Sequence, residues 1–271
     1  MTDEPRRRGA AFFDLDRTII SGSSMFALGW AAYRAGIVSN RELMADATNA
    51  ATFLFAGASD EKTDAVKDRT LQAIGGLSVQ KMTELGEQII PRLEKEVRRE
   101  ARGLIDLHHA ADRDTYIVSA SPIEIVGSFA DAIGLTGGIG TVAAVENGVY
   151  TGELAEPFCY GEGKAIAIRK IAEKKGYDLR LSYAYTDSAG DLPMLEIVGH
   201  PVAVNPDRAL ETIAYYRGWA IVEFSRARKK VMKRTTAAVG AAGIAGAAFA
   251  VGLGAGRRAA ARQTLVRRVL G

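Results

Sequence analysis

The first regular pattern along the chain is a short apolar run that ends in acidic residues. The run AAFF at positions 10 to 13 favours a buried strand, and Asp14 and Asp16 follow it directly, with Thr18 two positions further on. Open α/β sheets bind their ligands at the carboxyl ends of their strands. The pattern therefore predicts a strand that delivers carboxylates to the functional edge of a sheet.

A helical pattern follows this strand. The predicted helices cover Met25 to Ala35, 39–55, 60–74 and 78–102. Ser39 and Glu42 form the S-x-x-E pattern of a capping box, and Pro91 predicts a kink or break in the last of these helices. Because no strand pattern interrupts them, we expect a helical insert at 22–95.

Short β-rich runs then alternate with helical segments. Strands are predicted at 115–121, 181–188, 201–205 and 219–224, and helices are predicted to begin near Pro122, at Gly161 and after Gly190. Asn147-Gly148, between alternating apolar residues, predicts a β-hairpin over 141–154. Strands that alternate with helices predict an α/β fold with a mostly parallel sheet, in which 10–21 and 96–225 form the core.

The last segment, 226–271, differs in composition. Residues 235–256 carry no charge, and basic residues flank them on both sides. About 20 apolar residues suffice to span a bilayer, but this stretch is rich in Ala and Gly, which makes its insertion marginal. A membrane-spanning helix, a helix lying on anionic headgroups and a flexible tail all stay open.

The net charge of +3 hides an asymmetry between the two parts of the chain. Residues 217–271 contain 12 Lys and Arg and a single acid, whereas the remainder carries a net charge of −8. A basic tail favours contact with a polyanion, and we expect an anionic membrane rather than nucleic acid. The sequence leaves the oligomeric state open.

The cysteine content is consistent with a reducing compartment. The single cysteine, Cys159, cannot form an internal disulfide. Asp14, Asp16 and Arg17 interrupt the apolar region near the N-terminus too early for a signal peptide. We therefore expect a cytoplasmic catalytic body with a tail that associates with membrane.

Polar residues recur where predicted strands end or predicted helices begin. They fall in four segments: Asp14, Asp16 and Thr18; Ser119; Lys164; and Asp187 with Asp191. One such segment is weak evidence, because acids are common at strand ends and helix caps. Four segments in this order predict one shared site at the carboxyl edge of the sheet.

The four segments resemble the motifs of the haloacid dehalogenase superfamily, in the subfamily that includes the phosphoserine phosphatases. The matching strings are FFDLDRT, IVSASP, GEGK and YTDSAGDLPML, and the resemblance covers roughly residues 10 to 224. It implies a Rossmann-like core with an inserted helical cap, and a phosphatase that forms an aspartyl-phosphate. The tail lies outside it.

The resemblance also implies the catalytic and metal-binding residues. Asp14 would be the nucleophile, and Asp16 would protonate the leaving oxygen and later deprotonate the attacking water. Mg²⁺ would bind Asp14, Asp187 and the backbone carbonyl of Asp16, with Asp191 completing or orienting this set. Asp16 needs a raised pKa for its task, so its carboxylate should point away from the metal.

Phosphate binding falls to the remaining segments. Lys164 would neutralise the phosphate together with Asp14. Ser119 and the neighbouring backbone N–H of Ala120 would hold phosphate oxygens. Thr18 has two equally weighted interpretations, a supporting role in the loop and a direct contact with phosphate.

Two positions depart from the resemblance. Phosphoserine phosphatases carry an acid shortly after the first motif that meets the amino group of the substrate, whereas Ser21 to Ser24 contain none. This argues against phosphoserine as the substrate. Arg17 adds a positive charge beside the site. The apolar start of the insert is compatible with an apolar leaving group as well as with core packing.

Other polar residues receive structural interpretations. Ser121 is expected to cap the helix after Pro122. The three histidines have no spacing that builds a metal site, and two acids of the last helix are expected to be ordinary exposed residues. These are His108, His109, His200, Asp207 and Glu211.

The sequence thus predicts a Mg²⁺-dependent phosphomonoesterase acting on a small or lipid-linked phosphate. A phosphotransferase with the same intermediate is the second enzymatic hypothesis. A non-catalytic module that uses its basic tail to hold membrane or nucleic acid is the third.

Overall fold

A six-stranded parallel sheet forms the centre of the computed structural model, which describes residues 8–37, 67, 68, 71 and 74–224. Its strands are β1 (Ala10–Asp14), β2 (Asp114–Pro122), β3 (Gly137–Thr141), β6 (Tyr183–Thr186), β7 (His200–Val204) and β8 (Ala220–Val222), in the spatial order β3-β2-β1-β6-β7-β8. A separate antiparallel hairpin consists of β4 (Ala143–Glu146) and β5 (Val149–Leu154). The predicted α/β fold with a mostly parallel, Rossmann-like sheet is confirmed.

Helices cover both faces of this sheet. They are α1 (Ser24–Arg34), α2 (Val79–Glu96), α3 (Arg99–Ala110), α4 (Ile123–Ala132), α5 (Glu162–Lys175), α6 (Leu192–Glu196) and α7 (Arg208–Arg217). Helices α1 to α4 contribute to one apolar core and α5 to α7 to the other. In β1, Ala11 and Phe13 face the first core and Ala10 and Phe12 face the second, as the alternation of strand side chains requires.

Strand β3 was not predicted from the sequence, because three of its five residues are glycine, which lowers strand propensity. The reason for the glycines is the close approach of α4. A Cβ on Gly138 would lie 2.7 Å from the backbone of Val126, and one on Gly140 would lie 2.8 Å from the Cα of Ile123. These glycines let the helix pack directly on the edge strand.

Of the kink or break predicted at Pro91, the break is wrong. Helix α2 runs through Pro91 to Glu96, and the chain breaks instead at Val97 and Arg98 before α3 begins. Ser78 caps the start of α2 by accepting a hydrogen bond from the backbone N–H of Lys81.

The β4–β5 hairpin, predicted from Asn147-Gly148, is confirmed, and it contacts the entry to α2. The backbone N–H of Tyr150 donates to the carbonyl of Leu77 at 2.9 Å, and that of Gly76 donates to the carbonyl of Tyr150 at 2.9 Å. A third bond joins Val79 N–H to the carbonyl of Gly148 at 3.0 Å. The hairpin is therefore joined by main-chain bonds to a segment that the sequence assigned to the insert.

Several predictions fall outside the described residues: the capping box of Ser39 and Glu42, most of the 60–74 helix, and the tail 226–271 with its apolar stretch 235–256. Among the helices of the described residues, none has the length and apolarity needed to cross a bilayer.

Candidate active site

The site begins where β1 ends. Asp14 is the last residue of the strand, and the backbone then turns sharply, with Arg17 at a φ of +61°. The turn carries Asp16 to the start of α1, where its Oδ1 accepts from the backbone N–H of Ser24 at 2.8 Å and its Oδ2 from the hydroxyl of Ser23 at 3.3 Å. The two aspartates, one position apart in sequence, thus have different partners.

Lys164 joins two of the predicted acids. It lies in the first turn of α5, and its Nζ donates to Asp14 Oδ1 at 2.6 Å and to Asp191 Oδ2 at 2.8 Å. All three side chains are buried. The turn that brings Lys164 inward requires glycine at 163, since a Cβ there would lie 1.8 Å from the carbonyl oxygen of Phe158.

Asp187 and Asp191 lie after β6, the strand that pairs with β1. Asp191 also accepts a hydrogen bond from the hydroxyl of Thr186 at 2.7 Å, which holds it against Lys164. Asp187 Oδ2 lies 2.8 Å from the Nε of Arg17. Two cations from different segments therefore compensate these buried acids.

The end of β2 carries Ser119, Ala120 and Ser121. The pairing of β2 with β3 is irregular between Val118 and Pro122, a distortion typical of strands that turn side chains toward a site. Ser119 is buried, and its hydroxyl accepts from the backbone N–H of Ser121 at 3.2 Å. The carbonyl of Ala120 accepts from the hydroxyl of Thr141 at 2.7 Å, which fixes the loop to β3.

Thr18 is buried at the far side of the turn after β1. Its hydroxyl has no hydrogen-bond partner in the part of the chain that the structure describes. It therefore makes no contact here that would decide between its two predicted roles.

Burial sets the electrostatics of the acids. It raises the pKa of Asp14 to about 8, although the attraction of Lys164 opposes this and the repulsion of Asp191 adds to it. Burial likewise raises the pKa of Asp187 to about 6 against the opposing charge of Arg17. It also raises the pKa of Asp16, more than the hydrogen bonds from Ser24 lower it.

Lys164 stays charged in this environment. Burial alone lowers its pKa, but the negative charges of Asp14 and Asp191 and their hydrogen bonds outweigh that effect, so the net shift is upward. The site therefore keeps a fixed positive charge beside the predicted nucleophile.

The donor set fits a hard divalent cation. Among the described residues, no three acidic, histidine or cysteine side chains surround one point as a ready metal site. The implied ligands, however, are the carboxylates of Asp14 and Asp187 and a main-chain carbonyl. Burial raises the pKa of Asp14 even though Lys164 lies beside it, so further positive charge would favour its ionised form. A divalent cation with oxygen ligands would supply that charge.

Two structural interpretations from the sequence are wrong. Ser121 does not cap the helix after it, because the N-cap of α4 is Pro122 and makes no side-chain bond there. Asp207 is not an ordinary exposed acid: it caps α7 through Leu210 N–H and accepts from the backbone N–H of Ala189 at 3.0 Å. It therefore braces the loop that carries Asp187 and Asp191.

His108 is buried and His200 is half-buried, whereas His109 and Glu211 are exposed.

Sequence reasoning missed two polar residues of the site. Thr186 immediately precedes Asp187, and Ser24 begins α1. Their closeness to the motif residues in sequence is the feature that could have identified them.

Comparison with known proteins identifies the family of the chain. The family model for haloacid dehalogenase-like hydrolases matches residues 11–196. A probable phosphatase of Mycobacterium tuberculosis is 42% identical over 92% of this chain and 90% of its own length. A phosphoserine phosphatase of the same organism is 36% identical over 89% of this chain and 80% of its own length.

Solved structures share the fold as well. A protein of unknown function from Bordetella pertussis Tohama I superposes with a TM-score of 0.70 at 24% identity, covering 80% of this chain and 98% of that one. The chain therefore belongs to the haloacid dehalogenase-like hydrolase family and, like its named relatives, is a phosphatase.

Proposed function

We propose that the protein is a Mg²⁺-dependent phosphomonoester hydrolase that works through an aspartyl-phosphate on Asp14. The observation that carries this proposal is the separation of the two aspartates. Asp14 contacts Lys164, whereas Asp16 lies against the start of α1. This separation supports nucleophilic attack by Asp14, beside a positive charge, and proton transfer by Asp16.

The first half-reaction transfers the phosphoryl group to the protein. The free oxygen of Asp14 forms a bond to phosphorus as the ester P–O bond breaks, and protonated Asp16 gives its proton to the leaving alkoxide. The raised pKa of Asp16 supports its role as the acid. Lys164, Ser119 and the N–H of Ala120 hold the phosphate oxygens and offset their charge.

The second half-reaction restores the enzyme. Asp16, now ionised, takes a proton from water, the water oxygen bonds to phosphorus, and the Asp14–phosphorus bond breaks to release phosphate. Asp14, Asp187 and the carbonyl of Asp16 would hold Mg²⁺, with Asp191 orienting Lys164. When bound, the metal supplies the positive charge that lets two anions approach each other.

The substrate is proposed to be a small phosphorylated molecule. A relative named phosphoserine phosphatase supports this class. The residues before α1 do not support phosphoserine itself: Ser23, in the stretch where phosphoserine phosphatases carry an acid, bonds to Asp16 instead. A lipid-linked phosphate and contact of the basic tail with anionic membrane remain proposals supported by charge alone.

The test is phosphate release from a panel of phosphomonoesters, with Mg²⁺ or EDTA, by the wild-type protein and Asp14→Asn. We expect metal-dependent release that the substitution reduces to background, because an amide cannot act as the nucleophile. Asp131→Asn, an exposed acid on α4, is the matched control and should keep full activity. Substantial activity in Asp14→Asn would refute the assignment.

The same assay separates hydrolysis from transfer. Added acceptor alcohols should not appear as new phosphate esters if water is the acceptor. Formation of such esters at the expense of free phosphate would favour the phosphotransferase hypothesis.

A further inference from the structure

Two serines far apart in sequence meet beside the site. The hydroxyls of Ser24 and Ser121 lie 2.8 Å apart, although 97 positions separate them along the chain. Each residue is 1% exposed. Ser24 begins α1, and Ser121 lies near the end of β2.

The backbone of each serine serves a different predicted catalytic group. The N–H of Ser24 donates to the carboxylate of Asp16 at 2.8 Å. The N–H of Ser121 donates to the hydroxyl of Ser119 at 3.2 Å. The bond between the two hydroxyls therefore closes a continuous path from the proton-transfer acid to the phosphate-binding serine.

Neither hydroxyl has an ordinary capping role. Ser23, not Ser24, caps α1 by accepting from the N–H of Phe26. The helix after Ser121 has Pro122 as its N-cap, without a side-chain bond. A buried hydroxyl without a hydrogen-bond partner is destabilising, and here the two hydroxyls are partners of each other.

We propose that Ser24 and Ser121 are positioning residues for proton transfer, a role that rests on the proposed phosphatase function. Their hydroxyl bond fixes the start of α1 against the end of β2. This fixes the distance between the carboxyl group of Asp16 and the phosphate held at Ser119. Proton transfer to a leaving oxygen depends steeply on that distance, because a misplacement of about 1 Å can cost a hundredfold in rate.

The dependence of kcat/KM on the leaving group distinguishes a positioning role from a purely structural one. An alkyl phosphate leaves as a strongly basic alkoxide and needs the proton from Asp16, whereas p-nitrophenyl phosphate leaves as a weakly basic phenolate and needs it little. The constant kcat/KM covers the steps up to cleavage of the ester bond. A positioning defect should therefore lower kcat/KM selectively for the alkyl phosphate.

The experiment compares Ser24→Ala, Ser121→Ala and the double variant on both substrates. We expect each single variant to lose about tenfold to a hundredfold in kcat/KM for the alkyl phosphate and clearly less for p-nitrophenyl phosphate. The double variant should lose no more than Ser24→Ala, because the hydroxyl of Ser121 acts through that of Ser24, which also forms a hydrogen bond with the carboxylate of Asp16. It also leaves neither hydroxyl without a partner, so it provides a folded variant if a single one is unstable.

Ser128→Ala is the matched control, because the hydroxyl of Ser128 bonds to the carbonyl of Glu124 within α4. This variant should leave kcat/KM unchanged for both substrates. Equal losses on both substrates, additive losses in the double variant, or unchanged activity would each overturn the proposal. Absence of phosphate release by the wild-type protein from every ester would instead refute the proposed function itself.

Discussion

Strands β1 and β6 each contribute to two buried polar clusters that differ in charge. The site cluster at their carboxyl ends contains Asp14, Lys164, Asp187 and Asp191. The aromatic cluster, one to four residues earlier on the same strands, contains Phe13, Tyr183 and Tyr185, with His108 from α3. The first cluster buries charges, and the second buries polar rings in neutral form.

The aromatic cluster shows what burial does without a compensating charge. Phe13 and Tyr185 stack at 4.4 Å, and His108 Nε2 forms a hydrogen bond of 2.7 Å with the hydroxyl of Tyr185. Burial lowers the pKa of His108 to about 4, and the charge of Arg113 adds to this effect. Burial also raises the pKa of Tyr185, so both rings are neutral at pH 7.

In the site cluster, cations oppose the effect of burial on the carboxylates. Lys164 bonds to two carboxylates, and Arg17 contacts a third. Buried charge is costly, and a fully apolar replacement often stabilises a protein. We therefore expect the site cluster to contribute to the proposed chemistry rather than to stability.

The largest expected effect comes from removing the shared cation. Lys164→Met should abolish phosphatase activity, since the phosphate loses its fixed positive partner. It should also lower the free energy of unfolding by about 3 kcal/mol, because it leaves Asp14 and Asp191 buried beside each other. Urea unfolding of the metal-free protein measures the second effect.

Lys170→Met is the matched control on the same helix. Its exposed ion pair with Glu156 is worth at most about 1 kcal/mol. If both variants lost the same small amount of stability, the buried cluster would carry no special electrostatic cost.

The next effect concerns pH and the aromatic cluster. The pKa of His108 is about 4 in the folded state, below its ordinary value of 6.5, so the unfolded chain binds the proton more readily. Its stabilising contribution is complete above pH 6.5 and is lost as pH falls toward 4. Between pH 7.5 and 4.5 this single group should lower the free energy of unfolding by about 2–3 kcal/mol.

His108→Phe removes the titrating ring and should flatten the pH dependence by that amount in urea unfolding at the two pH values. Leu107→Ala, which changes an exposed side chain without a titrating group on the same helix, should leave the pH dependence as in the wild type. An unaltered pH dependence in His108→Phe would show that the ring is not held neutral by burial.

The same comparison shows what could be predicted from the sequence. The charged residues of the site cluster were found because they stand in short strings at predicted strand ends. The hydrogen bond between Ser24 and Ser121 was not predicted, because the local sequence pattern carries no information about contacts between distant segments. Ser121 before Pro122 has the local pattern of a helix cap, and it was assigned that role.

The fold was predictable to a similar degree. Apolar periodicity predicted five of the six parallel strands. Strand β3 was not predicted, because the close packing of α4 requires its glycines and glycine has a low strand propensity. The bracing role of Asp207 escaped for a related reason. Its partner Ala189 is 18 positions away, and only the tertiary fold brings the two together.

The smallest effect is expected at Arg17, the partly exposed member of the charged set. Its backbone has a φ of +61°, which glycine adopts readily and other residues adopt at a cost of about 1 kcal/mol. Arg17→Ala and Arg17→Gly both remove the ion pair with Asp187, so Arg17→Gly should be more stable than Arg17→Ala by about 1 kcal/mol in urea unfolding. Equal stability of the two variants would mean that the turn relaxes once the ion pair is gone. In that case the contact with Asp187, rather than the fold of the turn, holds Arg17 in its left-handed conformation.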